Sequence, residues 1–164
     1  MAREEMRRLP NKKGDRDVRT HARQLIKNGL HIRTKADEDI QTFLADSTKT
    51  EEKNWGCFFL QQSLELTIKG LIKYYYEYYQ EFHFLKGNAE ILLELSEKHS
   101  ELREIYDDLQ ALTEDAFSAE INRWEAISRY SELYVFYKNI KTANKISERI
   151  CEFVRRHNYL KEDE

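Results

Sequence analysis

After Pro10 the chain runs 154 residues without another proline, and it carries only five glycines in 164 positions. A proline inside a helix costs about 3 kcal/mol and a glycine about 1 kcal/mol, and chains built from many turns and strands are rich in both. Their scarcity predicts long helices. The length suits one domain with a sizeable core, and 35% charged against 40% apolar residues is a globular balance.

The spacing of apolar residues locates the helices. Residues 1–14 read as a disordered arm. A helix is expected from Asp15 to near Gly29, with Val18, Ala22, Leu25 and Ile26 on one face. Arg16, Arg19, Arg23 and Lys27 lie on the other, at steps of three and four. Thr34 is a candidate N-cap for a following short helix through Ile40, Phe43 and Leu44. The segment "FFLQQSLELTIKGLIKYYYEYY" then places Leu60, Leu64, Ile68, Leu71, Tyr75, Tyr78 and Phe82 on one continuous stripe. Trp55, Phe59 and Leu66 form a second stripe on nearly the opposite side, the pattern of a core helix wrapped by neighbours. Gly87 reads as a terminator and Asn88 as a cap for the next helix. Residues 101–127 form another helix with a break near "TEDAFS", "RYSE" at 129–132 is a corner, and a last helix runs from about Leu133 to Arg155. The expected fold is all-α: an antiparallel up-and-down bundle of four to five core helices with an extra N-terminal helix. Its divisions are a basic arm with a short helix (1–34), the bundle (35–157) and a flexible tail (158–164).

Charge is uneven. Residues 1–35 hold 11 Lys/Arg and 4 Asp/Glu, a net +7, and the remainder holds 16 and 26, a net −10. An acidic body with a basic arm is no general nucleic-acid binder, but the arm itself can contact phosphate or RNA. No run approaches the roughly 18 apolar residues of a membrane span, and the N-terminus is too polar for a signal peptide. Cys57 and Cys151 read as reduced core thiols, so the expected compartment is the cytoplasm. Chemistry is sparse. There is no Glu-x-x-His pair, no HExxH, no Cys/His cluster, no phosphate loop and no GxSxG elbow. Neither a metal nor a cofactor is expected.

Four segments in order carry a resemblance. "FFLQQSLELTIKGLIKYY", with Gln61, Gln62, Leu64, Glu65, Ile68, Lys69 and Leu71, resembles the signature helix of HEPN domains. "GNAEILLEL", "RYSE" and "KTANKISERICEFVRR" resemble the helix, corner and final helix that follow it, over roughly residues 35–157. The resemblance implies an antiparallel helical bundle, often dimeric. It also implies membership among metal-independent ribonucleases, toxins paired with nucleotidyltransferase antitoxins, and binding modules without catalysis.

The ribonuclease branch carries R-x(4–6)-H late in the bundle, where arginine stabilises phosphate charge and histidine moves the 2′-hydroxyl proton. Here no histidine follows Arg123 or Arg129 at that distance, His157 lies eight residues past Arg149, and Arg16–His21 satisfies the spacing only in the arm. The expectation is therefore a non-catalytic module, a homodimer, binding a nucleotide, RNA or a protein such as a nucleotidyltransferase domain. Lys69, Arg123, Arg129 and Tyr130 are its candidate ligand contacts, and Arg16, Arg19, Arg23 and Lys27 those of the arm. The alternatives are a divergent ribonuclease toxin and a structural dimeric adaptor.

Overall fold

The computed structural model describes residues 15–76, 85–126 and 135–161, the side chains of 15–17 excepted. Helix α1 (Asp15–Ala45) runs 31 residues, roughly 46 Å at 1.5 Å per residue. It passes through Gly29 and Thr34 without a break, so the expected stop at one and cap at the other are corrected, and position 34/35 falls inside the helix. Thr34 Oγ1 instead donates back to the Leu30 carbonyl at 3.3 Å, as a mid-helix threonine does. Asp46 accepts from the Thr48 amide at 3.0 Å and its hydroxyl at 2.7 Å, closing the turn into α2 (Thr50–Tyr75).

A repeat of seven explains why α1 continues. Ala22, Ile26, Gly29, Arg33, Ala36, Ile40 and Phe43 alternate steps of four and three and are all buried. Gly56, Leu60, Ser63, Thr67 and Gly70 do the same on α2. This is the period of a coiled-coil seam, here lined with small residues. Ser63 Oγ donates to the Gly29 carbonyl at 2.8 Å. A methyl group built on Gly29 would strike Thr67 Oγ1 and lie 3.2 Å from the Ser63 carbonyl oxygen. One on Gly70 would lie 2.6 Å from Ile26 Cγ1 and 2.9 Å from the Ala22 carbonyl oxygen. Residue 22 faces 70, 29 faces 63 and 67, and 40 faces 56, so the two helices are antiparallel. At Gly29 close approach outweighs the helix penalty of glycine.

The remaining elements close around the other side of α2. They are α3 (Leu85–Leu95), a 3₁₀ turn (Ser100–Ile105), α4 (Tyr106–Leu112), α5 (Asp115–Arg123), a second 3₁₀ turn (Trp124–Ala126) and α6 (Tyr137–Arg156). Among the described residues there is no strand, and the chain is an all-α helical bundle. Helix α2 packs against α1, α3, α6 and the Trp124 turn. Its Leu60, Leu64, Ile68 and Leu71 are buried with Leu92, Leu109, Ile121, Trp124, Ile150 and Phe153 in one core. Gly87 and Asn88 lie inside α3, where Asn88 is fully buried, instead of ending and capping helices. The break expected near "TEDAFS" falls between α4 and α5.

The second stripe on α2 is only partly enclosed, a correction to the expected wrapping: Trp55 is 41% exposed, Leu66 is half-buried, and Phe59 is half-buried with one side packed against the core. Cys57 and Cys151 are buried and free, and burial pushes the Cys57 thiol up to about 12. Tyr78, Phe82, the arm 1–14, the corner 129–132 and residues 162–164 lie outside the described residues.

Candidate ligand surfaces

The signature residues of α2 form a polar row. Lys69 Nζ meets Glu65 Oε1 at 2.6 Å, and Gln61 Nε2 donates to Glu65 Oε2 at 3.0 Å. Gln62 Nε2 donates to Gln61 Oε1 at 2.6 Å. Steps of four align positions 61, 65 and 69 on one helix face. Lys69 is 7% exposed, so it is an internal ion-pair partner and not a solvated surface lysine. A phosphate would have to draw its ammonium away from Glu65. Arg123 is exposed in the last turn of α5, and no ion pair or hydrogen bond joins it to Lys69 among the described residues. Arg129 and Tyr130 lie outside the described residues, so convergence of the four is not seen.

The arm residues also separate. Arg19 is exposed and stacks over the Tyr74 ring at 5.0 Å, and Lys27 is exposed. Arg23 is only 5% exposed. The side chain of Arg16, the first residue of the Arg16–His21 spacing, lies outside the described residues, and His21 Nδ1 sits 2.5 Å from Lys73 Nζ. Arg23 therefore leaves the exposed basic face expected for it, and α1 buries a second cation. Arg33, 7% exposed, occupies the α1 seam beside Asp37 at 3.6 Å, and its Nη1 makes no hydrogen bond among the described residues. Its place in the 26–29–33–36–40 alternation was the available signal.

The histidines late in the chain are tied into one end of the bundle. His157 Nε2 contacts Glu104 Oε1 at 2.7 Å, and Arg156 contacts Glu104 Oε2 at 2.8 Å. The His99 ring lies 4.2 Å from that of Tyr75. Tyr75 donates to Glu101 at 2.8 Å, so the Tyr159 hydroxyl beside it must act as donor to Tyr75. Burial pushes both phenols up and keeps them protonated.

Burial pushes the Glu101 carboxyl up too, but a backbone hydrogen bond, the Tyr75 hydroxyl and the nearby His99 and His157 outweigh it and hold the group below its usual range. A carboxyl depressed in the folded state stabilises above its unfolded value of about 4.3 and loses that contribution as pH falls through the folded value. Glu101→Gln is therefore expected to flatten the acid side of the stability profile, measured by urea unfolding at stepped pH. Parallel acid limbs in variant and wild type would contradict the assignment. Arg149 is also engaged, at 3.1 Å from buried Asp108.

Helix α6 carries a surface that the spacing argument missed. It holds six Lys/Arg against two Glu, a net +4 in a body that is otherwise acidic. Lys138, Lys141, Lys145 and Arg155 are exposed along it, and Lys141 sits over the exposed Tyr137 ring at 5.4 Å. Tyr137 and Phe136 are among the most exposed large apolar residues described. Among the described residues no group of three or more His, Cys, Asp or Glu could hold a metal ion, and no helix is long and apolar enough to cross a membrane.

A central apolar helix with the Gln-Gln-x-x-Glu-x-x-x-Lys row, inside an antiparallel bundle, defines a class of helical domain. The family model described as HEPN domain matches residues 31–157, and the chain belongs to the HEPN family. No curated protein and no solved structure matches it.

Proposed function

We propose that this HEPN protein is a non-catalytic module that binds single-stranded RNA and works as a homodimer. The observation that carries the reading is the basic, aromatic-tipped face of α6 on an otherwise acidic body. Lysines at successive turns track a phosphate backbone, and exposed rings give bases a stacking surface. The fate of the late Arg and His side chains supports a role without cleavage. Among the described residues Arg149 is held by Asp108, and Arg156 and His157 by Glu104, so carboxylates of the chain itself already engage these side chains.

Fluorescence anisotropy with a labelled single-stranded RNA, titrated over salt, tests this, with the RNA recovered afterwards on a denaturing gel. The wild type is expected to bind and leave the RNA intact. Replacing Lys138, Lys141 and Lys145 together by Gln is expected to lower the salt slope by about 2, since each phosphate contact contributes about 0.7 on single strands. No affinity, or an unchanged slope in the triple variant, overturns the reading. Metal-independent cleavage that disappears in Arg123→Ala would establish the ribonuclease alternative instead.

A further inference from the structure

The exposed face of α6 changes sign along its length. Lys138, Lys141, Lys145, Glu148, Glu152 and Arg155 alternate steps of three and four and are all exposed, so they form one straight stripe. Followed from the start of the helix, the stripe is three lysines, then two glutamates, then an arginine. Among the described residues none of the three lysines is in an ion pair. The two cations beside the stripe in the second half are already engaged, Arg149 by Asp108 at 3.1 Å and Arg156 by Glu104 at 2.8 Å.

The basic stretch is short and bounded at both ends. From Lys138 to Lys145 it covers about 10 Å of a helix of 20 residues, about 30 Å long. At its start the positive end of the helix is not open to a phosphate, because Glu120 already accepts from the Phe136 amide at 3.0 Å and from Asn139 Nδ2. The Tyr137 ring marks that end, seated against Phe43 of α1 with centroids 6.1 Å apart and lying beneath Lys141. At the other end Glu148 stands less than one turn past Lys145, and Glu152 follows one turn later. A strand that ran on past Lys145 would lay its phosphates against two carboxylates, which repel them.

We propose that the α6 site takes a short single-stranded element, about three phosphates long, and that Glu148 and Glu152 set its length. The inference rests on the RNA reading above and names the class of RNA: a short unpaired segment, not a continuous strand laid along the helix. Lys138, Lys141 and Lys145 each meet one phosphate, Tyr137 takes a base at one end, and the strand leaves the surface before Glu148.

Fluorescence anisotropy over a range of salt, with 3′-labelled oligouridylates (a tetramer, an octamer and a hexadecamer), tests it on the full chain. The tetramer has three internucleotide phosphates and is expected to give a salt slope of about 2, since each contact contributes about 0.7. The octamer and hexadecamer are expected to give the same slope, with affinity higher only by the extra registers in which they can bind. Replacing Glu148 and Glu152 together by Lys is expected to raise the hexadecamer slope to about 3.5 and its affinity about tenfold or more, with the tetramer slope unmoved. Circular dichroism checks that this variant keeps its helicity, and the wild-type length series decides the site length should it fail to fold. A wild-type slope that climbs from tetramer to hexadecamer overturns the short site and leaves the RNA reading standing. No binding of any oligomer overturns both. A hexadecamer slope still near 2 in the folded double lysine variant overturns the role of the two carboxylates.

Discussion

Replacing Gly70 by valine is expected to remove about 3 kcal/mol or more of stability, a drop of roughly 10 °C in Tm for a chain of this size. Even the first methyl group has no room: it would lie 2.6 Å from Ile26 Cγ1, 2.9 Å from the Ala22 carbonyl oxygen and 3.0 Å from the Ile26 amide nitrogen. Two of those three atoms are backbone, so relief requires the helices to move apart along a seam that also holds Gly29 against Ser63. Better helix propensity returns only about 1 kcal/mol per residue. Gly87→Ala supplies the contrast. Nothing lies within 4 Å of a methyl group there, and the position is inside α3. That variant is expected to be more stable by up to about 1 kcal/mol. Urea unfolding of the two variants beside wild type separates a packing glycine from an idle one. Equal and small effects at both sites would refute the close seam.

Glu120→Ala is expected to cost about 3 kcal/mol, measured by the same unfolding curves. Glu120 is 2% exposed, and its Oε1 accepts from the Phe136 amide at 3.0 Å, where α6 begins. Its Oε2 accepts from Asn139 Nδ2 at 2.5 Å. A hydrogen bond to a charged group contributes roughly 1.5–3 kcal/mol, and the carboxylate also faces the positive end of the α6 dipole. Glu120→Gln keeps an acceptor for the amide and is expected to lose clearly less. If alanine and glutamine cost the same, the carboxylate is not the starting peg of α6.

How far the sequence was legible depends on what each helix face is made of. The inner stripe of α2 could be read because Leu60, Leu64, Ile68 and Leu71 are large and apolar, and burial follows the 3.6-residue period directly. The α1/α2 seam could not, because Ala22, Gly29, Ser63 and Gly70 carry little hydrophobic signal; their role lies in what they leave out. Gly29 therefore read as a helix end. Arg33 and Lys69 are buried cations, against the strong tendency of charged residues to stay in water, and only the contacts with Asp37 and Glu65 show where they sit. Trp55 and its neighbours were ambiguous in principle. Two apolar stripes describe both a helix wrapped by its own chain and a helix awaiting another, and sequence periodicity does not distinguish them. The polar row from Gln61 to Lys69 was visible as a motif, but its internal hydrogen bonding was not. The α6 basic face escaped notice because the net charge of residues 36–164 is negative, and averaging over them conceals one positive helix.

The α1/α2 seam requires α1 to be a single rod that lies along α2 from Asp15 to Ala45. Native-state hydrogen exchange at the amides of Asn28, Gly29 and Leu30 tests this most directly. A continuous, packed helix protects them to nearly the global unfolding free energy. Exchange at those three amides on the timescale of an exposed loop, with protected helix on either side, would mean that α1 breaks at Gly29 and that the seam does not exist as a continuous surface.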